Sequence, residues 1–147
     1  MAEPIGHLEG HDFQPGIRLL ARLARVAEQA CQATGISLPQ YRLLVSISGQ
    51  PQRASELAAR VGVSRPALTS LVNGLAQAEL LQRVPVPNDR RGIQLVVTDT
   101  GCAALAQADD ALTERMLQLV PPAAASSVRE VVAMLGEALD REGPPAD

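Results

Sequence analysis

Aromatic side chains are nearly missing from this sequence. It has no tryptophan, one phenylalanine, Phe13, and one tyrosine, Tyr41. A core without rings has to be built from leucine, valine, isoleucine and alanine, and hydrophobic residues make up 46% of the 147-residue chain. That fraction is typical of globular proteins, and the length suits a single domain. The composition therefore favours one domain, residues 1–147, in which helices pack on helices.

Residues for metal, disulfide or catalytic chemistry are also scarce. Cys31 and Cys102 are too few and too far apart for a disulfide framework or a metal site. His7 and His11 supply too few ligands to hold a metal ion. The sequence contains neither a Ser/His/Asp set nor a glycine-rich phosphate loop. We therefore expect no catalytic residues, no metal and no cofactor, and a reducing compartment; an enzyme is not expected.

Long hydrophobic runs are absent as well. No stretch of about 18 apolar residues is available to cross a membrane. The first ten residues, MAEPIGHLEG, lack the basic and apolar regions of a secretory signal. The sequence thus predicts a cytoplasmic protein with no membrane partner.

Lysine is absent, since all 13 basic residues are arginine, and the formal net charge is −3. The charges are spread unevenly along the chain. Residues 52–92 hold six arginines against three acidic residues, whereas residues 93–147 hold three arginines against nine. A codon bias explains arginine in place of lysine, but it does not explain this clustering. A basic middle segment beside an acidic tail indicates a surface that faces nucleic acid, joined to a part that faces elsewhere.

Helical spacing of apolar residues predicts long helices at both ends of the chain. The first runs from Pro15 to a cap at Gly35. The last two run from Asp99 to about Val120 and from Ala123 to about Arg141. In a monomer, the apolar faces of these helices would form a large exposed patch. Burial against a twofold-related copy covers that patch, so residues 15–36 and 99–141 are expected to be dimerisation helices.

The centre, residues 37–98, has the pattern of a helix-turn-helix followed by a β-hairpin. A short helix predicted at Ala54–Val61 is followed by a turn and by a second helix that Ser64 caps. Strand-like runs at Leu80–Val84 and Ile93–Thr98 then flank a polar tip with two adjacent arginines. The expected fold class is mainly α with a small β-wing. A winged helix-turn-helix DNA-binding lobe would lie between the dimerisation helices.

Polar and basic side chains on the second helix and at the wing tip are the candidate contacts to double-stranded DNA. Arg65 can read guanine in the major groove, and Ser64 can both cap the helix and hold a phosphate. Arg91 can enter the minor groove while Asp89 holds its guanidinium by a charge-assisted bond. The candidate DNA-binding residues are Arg53, Ser55, Ser64, Arg65, Pro66, Ala67, Thr69, Ser70, Asn73, Asp89, Arg90 and Arg91.

Two segments of the sequence closely resemble the MarR family of bacterial winged-helix transcriptional regulators. They read PQYRLLVSI and SELAARVGVSRPALTSLVNGLAQAELLQRVPVPNDRRGIQLVVTDTG, and the family's Asp-x-Arg wing motif falls on Asp89 and Arg91. The resemblance covers about residues 17–120. It implies a triangular homodimer that binds a palindromic operator, usually as a repressor. It often implies a ligand, commonly a phenolic or aromatic acid, in a pocket between the DNA-binding lobe and the dimer helices.

Four residues lie on the two helices that would line such a pocket, and they are Arg18, Arg22, Tyr41 and Arg42. Arginine suits a carboxylate ligand. The alternative for each of these residues is an ordinary salt bridge on the helix surface.

Two other functions stay open at this point. Some proteins of this family sense peroxide with one cysteine near the start of the first helix. Cys31 lies near the end of that helix, and both Cys31 and Cys102 fall among apolar positions, as buried structural cysteines do. The other alternative is a winged helix that contacts only proteins, which would not need arginines at the wing tip.

Overall fold

Helices dominate the described part of the chain, with one small sheet between them. The computed structural model describes residues 14–87 and 89–142, and at positions 54–56, 59, 90, 91 and 142 it describes the backbone alone. The helices are α1 Gln14–Ala33, α2 Leu38–Ser48, α3 Ala54–Val61, α4 Arg65–Gln77, α5 Asp99–Leu119 and α6 Ala125–Glu142, with a short 3₁₀ helix at Pro122–Ala124. The strands are β1 Gln52–Arg53, β2 Leu81–Val86 and β3 Asp89–Val97. The predicted class, mainly α with a small β-wing, is confirmed; the histidines of the N-terminal arm lie outside the described residues.

The helix boundaries in the lobe follow from capping residues. Ser37 opens α2 with a capping box, because Gln40 N–H donates to Ser37 Oγ over 3.3 Å while Ser37 N–H donates to Gln40 Oε1 over 2.8 Å. Gly35 follows α1 with a φ of 88°, the left-handed cap predicted for it. Ser64 caps α4 as predicted, since its Oγ accepts a hydrogen bond from Ala67 N–H over 3.3 Å.

The core of the lobe is aliphatic and lies between α2, α3, α4 and the sheet. Its fully buried side chains include Leu43, Leu44, Leu57, Val61, Leu75 and Leu95. Leu68 and Val72 complete the buried side of α4, whereas Leu71 is only partly buried. Each large aliphatic side chain contributes about 1.5–3 kcal/mol on burial. α4 is therefore held by its apolar face, and its opposite face is exposed.

The sheet has the strand order β1-β3-β2 and is antiparallel. Pro85 and Pro87 predict an edge strand, and β2 is at the edge. β1, which the sequence pattern does not predict, pairs Arg53 with Gln94 of β3. β3 begins at Asp89 rather than at the predicted Ile93, because the ladder resumes at Asp89 after a break in register. Much of the predicted polar tip is therefore part of the strand.

α5 is attached to the base of the wing by a tight junction. Glu79 follows α4 in a left-handed conformation, with a φ of 59°, and Leu80 N–H donates back to the Leu75 carbonyl over 2.9 Å. Thr98 caps α5, because its Oγ1 accepts from Gly101 N–H over 3.0 Å and donates to the Glu79 carbonyl over 2.6 Å. Gly101 is buried against the Leu80 carbonyl at a distance that leaves no room for a side chain.

The terminal helices leave much apolar surface uncovered. Large exposed hydrophobic side chains include Ile17, Leu19 and Leu20 of α1, Met116, Leu117 and Leu119 of α5, and Val131, Val132, Met134, Leu135 and Leu139 of α6. Cys31 is fully buried, but Cys102 is exposed, so the expectation that both cysteines are buried is wrong for Cys102. The reason is that Gly101 takes the buried position of α5, and the next residue lies about 100° further round the helix.

Candidate nucleic-acid interface

The exposed face of α4 carries the predicted recognition residues. Arg65, Pro66, Ala67, Thr69, Ser70 and Asn73 are all exposed, as is the cap Ser64. Arg65 is the first residue of α4. At this end of the helix the guanidinium and the positive end of the helix dipole both favour the approach of a DNA phosphate. The structure therefore brings these residues together on one accessible surface, with the leucines and valines of α4 behind them.

Two hydroxyls on this face are bonded to their own helix. Thr69 Oγ1 donates to the Arg65 carbonyl over 3.1 Å, and Ser70 Oγ donates to the Pro66 carbonyl over 3.2 Å. Their oxygens keep acceptor capacity, which suits an exocyclic amine of a base rather than a phosphate oxygen. A contact to phosphate would require each hydroxyl to give up its bond to the helix.

Asn73 connects α4 to the wing. Arg83 Nη2, on β2, donates to Asn73 Oδ1 over 2.6 Å, and both side chains are exposed. Asn73 is one of the DNA contacts predicted from the sequence, whereas Arg83 is not among them. The one signal for Arg83 is its place in the basic block, because a hydrogen bond between a helix and a strand has no local pattern.

A groove of about 430 Å³ separates α4 from the face of the sheet. Its floor is apolar and its rim is basic. The lining residues are Ala58, Leu68, Val72, Ile93 and Leu95, with Arg65, Thr69 and Arg83 among them. Both Arg65 and Arg83 are exposed, so two cations flank the gap between the recognition helix and the wing.

The start of β3 is linked to β1 by an ion pair. Arg53 Nη1 donates to Asp89 Oδ2 over 3.1 Å, and Gly92 N–H donates to Asp89 Oδ1 over 3.1 Å. The sequence predicts Arg53 as a phosphate contact, whereas here its guanidinium pairs with Asp89. The side chains of Ser55, Arg90 and Arg91 lie outside those described, so their DNA contacts and the pairing of Asp89 with Arg91 stay predictions.

The four candidate ligand-binding residues face different neighbours. Arg18 and Arg22 are exposed on α1. Tyr41 donates its hydroxyl hydrogen to Asp109 Oδ1 of α5 over 2.7 Å. Arg42, the next residue of α2, extends to Gly62 in the turn after α3. If Gly62 carried a Cβ, that atom would lie 3.2 Å from Arg42 Nη2. Asp109 has no local sequence signal, since it lies 68 residues from Tyr41.

The contact between α1, α2 and α5 favours protonated side chains. Burial, followed by the hydrogen bond and the charge of Asp109, raises the pKa of Tyr41 to about 12. Burial, followed by the carboxylates of Glu28 and Asp109, raises the pKa of the Cys31 thiol. Because the thiolate is the reactive form, these surroundings disfavour Cys31 as a peroxide sensor.

Within residues 14–87 and 89–142, no group of three or more His, Cys, Asp or Glu side chains is placed to hold a metal ion. None of the helices in these ranges is both long enough and apolar enough to cross a membrane.

An exposed capped helix after a short turn, followed by a β-hairpin, defines a winged helix-turn-helix protein. Comparison with known proteins agrees. Residues 34–92 match the family model described as MarR family, and no curated protein matches the chain.

Several solved structures are similar over nearly the whole chain. RV1404 from Mycobacterium tuberculosis is 26% identical, with 95% of this chain and 98% of that chain covered and a TM-score of 0.72. NadR in complex with 4-hydroxyphenylacetate is 21% identical, with 96% of each chain covered and a TM-score of 0.73. The M. tuberculosis MarR family protein Rv2887 in complex with salicylic acid is 19% identical, with 88% of this chain and 98% of that chain covered and a TM-score of 0.68.

Over residues 34–92 the chain matches the MarR-family model, and its winged helix-turn-helix fold is similar to that of the matched structures. The family model covers most of the DNA-binding lobe, and the structural matches extend the likeness to the terminal helices. Proteins of this family are DNA-binding transcriptional regulators rather than enzymes, and they act as dimers. The family therefore supports a DNA-binding transcriptional regulator, and the resemblance found in the sequence is confirmed.

Proposed function

We propose that two copies of this chain form a dimer that binds a palindromic operator and represses transcription until a small aromatic acid releases it. One observation carries the proposal. The Ser64-capped face of α4 and the arginine-bearing wing lie on the same lobe, within the basic block at residues 52–92.

The charge and shape of the lobe support operator binding. Arg65 at the start of α4 can reach a guanine edge, and this is the commonest specific contact in the major groove. Arg83 is exposed on the adjoining strand, where its cation can approach the phosphate backbone. Arg90 and Arg91 follow at the far end of the wing. In this proposal α4 reads the bases in the major groove, and the wing contacts the DNA backbone or the minor groove.

The exposed apolar faces support the dimer. Leu20 of α1 is 63% exposed, Leu117 of α5 is 65% exposed and Leu139 of α6 is 67% exposed. A patch of this kind spread over three helices is unusual for a monomer in water. A second copy related by a twofold axis covers the same faces on both chains and sets the distance between the two copies of α4.

The aromatic-acid ligand is proposed from the printed complexes of similar structures, NadR with 4-hydroxyphenylacetate and Rv2887 with salicylic acid. In this chain Arg18 and Arg22 offer guanidinium groups on α1, and Tyr41 lies on the adjoining α2. A guanidinium can bind a carboxylate through two parallel hydrogen bonds. A ligand here would act where the lobe meets the terminal helices.

Footprinting on the DNA that flanks the protein's own gene tests this proposal. We expect two protected half-sites separated by one helical turn of DNA, roughly 34 Å, or a multiple of it. Salicylate or 4-hydroxyphenylacetate should remove the protection, with benzyl alcohol as a control that lacks the carboxylate. Protection that survives both acids would contradict the ligand part. No protection even at low salt would contradict DNA binding and favour a winged helix that contacts proteins alone.

A further inference from the structure

The two wing arginines lie in a bulge of β3. Across the hairpin, Pro85 pairs with Ile93, but the next residue of β2, Val86, pairs with Asp89. Residues 90–92, Arg-Arg-Gly, therefore stand between two consecutive rungs of the ladder. A bulge of this kind bends its strand and re-aims the side chains that it carries.

The carboxylate of Asp89 spans this bulge. Its Oδ1 accepts a hydrogen bond from Gly92 N–H at 3.1 Å, at the far end of the bulge. The carboxylate lies so close to Gly92 that a Cβ there would stand 2.7 Å from Asp89 Oδ2 and 2.8 Å from Val86 Cγ2. A side chain at position 92 would therefore force the Asp89 carboxylate or Val86 to shift, so the conformation of the bulge and the position of the Asp89 carboxylate are coupled.

Arg53 holds that carboxylate from the helix-turn-helix side. Its Nη1 donates to Asp89 Oδ2 over 3.1 Å. Arg53 also pairs through its backbone with Gln94 of β3, and it directly precedes α3. Arg53 thus connects the helix-turn-helix to the bulge. Its backbone leads directly into α3, and its side chain bonds to Asp89, which in turn bonds to Gly92.

We propose that Arg53 is a positioning residue for DNA binding: through Asp89 it fixes the bulge that carries Arg90 and Arg91, so that α4 and the wing meet DNA in one set orientation. This inference rests on the proposed operator binding. It replaces the direct phosphate contact expected for Arg53. The ion pair is 47% and 37% exposed at its two side chains, and such pairs add little to global stability. Loss of the pair should therefore leave the fold intact and change the wing alone.

Limited trypsin digestion tests the link in the free protein, because trypsin cleaves after Arg90 and Arg91. Arg53→Gln and Asp89→Asn should each speed cleavage in the wing several-fold. Arg60→Gln serves as the control. Arg60 is another exposed arginine of this region, and its Nη1 donates to Gln52 Oε1 over 3.1 Å rather than to Asp89. Wing cleavage at the wild-type rate in both Arg53→Gln and Asp89→Asn would overturn the proposal.

Operator affinity distinguishes positioning from direct contact. A carboxylate without a positioning role repels DNA, so its neutralisation in Asp89→Asn would strengthen binding. Positioning predicts the opposite, a loss of affinity in Asp89→Asn, a similar loss in Arg53→Gln, and no further loss in the double variant. Stronger binding by Asp89→Asn, or additive losses in the double variant, would overturn the proposal. If the wild type itself binds no DNA, the proposed function fails, and trypsin cleavage still decides whether Arg53 holds the wing.

Discussion

At the scale of single residues, Tyr41 shows how the fold changes the chemistry of a side chain. Burial, then the hydrogen bond to Asp109 and its charge, raises the pKa of Tyr41 to about 12, above the ordinary value of about 10. The fold therefore favours the neutral phenol. The resulting contribution to stability is fully present below about pH 10 and is lost as the pH rises through about 12.

The ionisation of Tyr41 can be followed directly, because the chain has one tyrosine and no tryptophan. We expect the phenolate absorbance of the folded protein to appear near pH 12. Asp109→Asn should lower the Tyr41 pKa, though not to its ordinary value, because burial still disfavours the charged form. A wild-type titration at the ordinary tyrosine pKa would contradict the hydrogen bond between Tyr41 of α2 and Asp109 of α5.

Among the glycines that the structure describes, Gly101 is the one whose replacement should cost most. In Gly101→Ala the new Cβ would overlap the Leu80 carbonyl and stand 2.7 Å from Val97 Cγ1. We expect a loss of about 1–3 kcal/mol in the free energy of unfolding, the usual cost of overpacking. Gly49→Ala is the matched control, since no atom lies within 4 Å of its Cβ position and its φ is −76°. Urea denaturation measures the free energy of unfolding of both variants. Equal values would show that the junction between the wing and α5 can shift to make room for the new Cβ.

At the scale of elements, the helices can be predicted and the strands only in part. Helical spacing and caps such as Ser64 act over a few residues, so the sequence places α1, α3, α5 and α6 within a few positions of their observed bounds. β1 has two residues, too few for a period, and forms only because β3 lies beside it. The bulge likewise depends on Arg53 and Asp89, which are 36 residues apart.

The candidate DNA-binding site, like the fold, can be predicted from the sequence only in part. The exposed face of α4, with Arg65, Thr69 and Ser70, follows from helical spacing alone. The links of Asn73 to Arg83 and of Tyr41 to Asp109 do not follow, because each joins side chains on different elements. These non-local hydrogen bonds form only after the buried core has packed the elements together, so no local sequence pattern reveals them.

Ser64 has two proposed roles that substitutions can separate. Ser64→Ala removes the acceptor for Ala67 N–H and should cost about 0.5–2 kcal/mol of stability. Ser64→Asp keeps a cap of similar strength but adds a negative charge at the proposed interface. We expect thermal unfolding of Ser64→Asp to match the wild type while its DNA affinity falls well below that of Ser64→Ala. If Ser64→Asp binds DNA as the wild type does, the start of α4 does not lie near phosphate.

At the scale of the whole molecule, the proposed function gives the terminal helices the task of setting the distance between two lobes. α6 is exposed along most of its length, and Val131, Val132, Leu135 and Leu139 share one side by helical spacing. A lobe by itself can contact one half-site. Two lobes held at a set distance can select a palindrome, and this distance would depend on how α1, α5 and α6 pack between the copies.

The proposed dimer should be disrupted by substitutions on this face of α6. The double variant Leu135→Glu with Leu139→Glu should be a monomer by sedimentation, because carboxylates would be buried against the partner. Its lobe should keep its helical circular dichroism. Ala133→Glu adds the same charge on the opposite side of α6 and should stay dimeric. An unchanged dimer in the double variant would show that α6 does not form the interface.

The base-reading role of α4 is tested most directly by the ratio of affinities for the operator and for a scrambled duplex, measured for the wild type and Arg65→Ala at one salt concentration. The predicted result is a fall of about 10- to 100-fold in operator affinity, with a much smaller change on scrambled DNA, because a bidentate arginine–guanine contact contributes about 1–3 kcal/mol of discrimination. Equal losses on both duplexes would contradict this role and make Arg65 a phosphate contact.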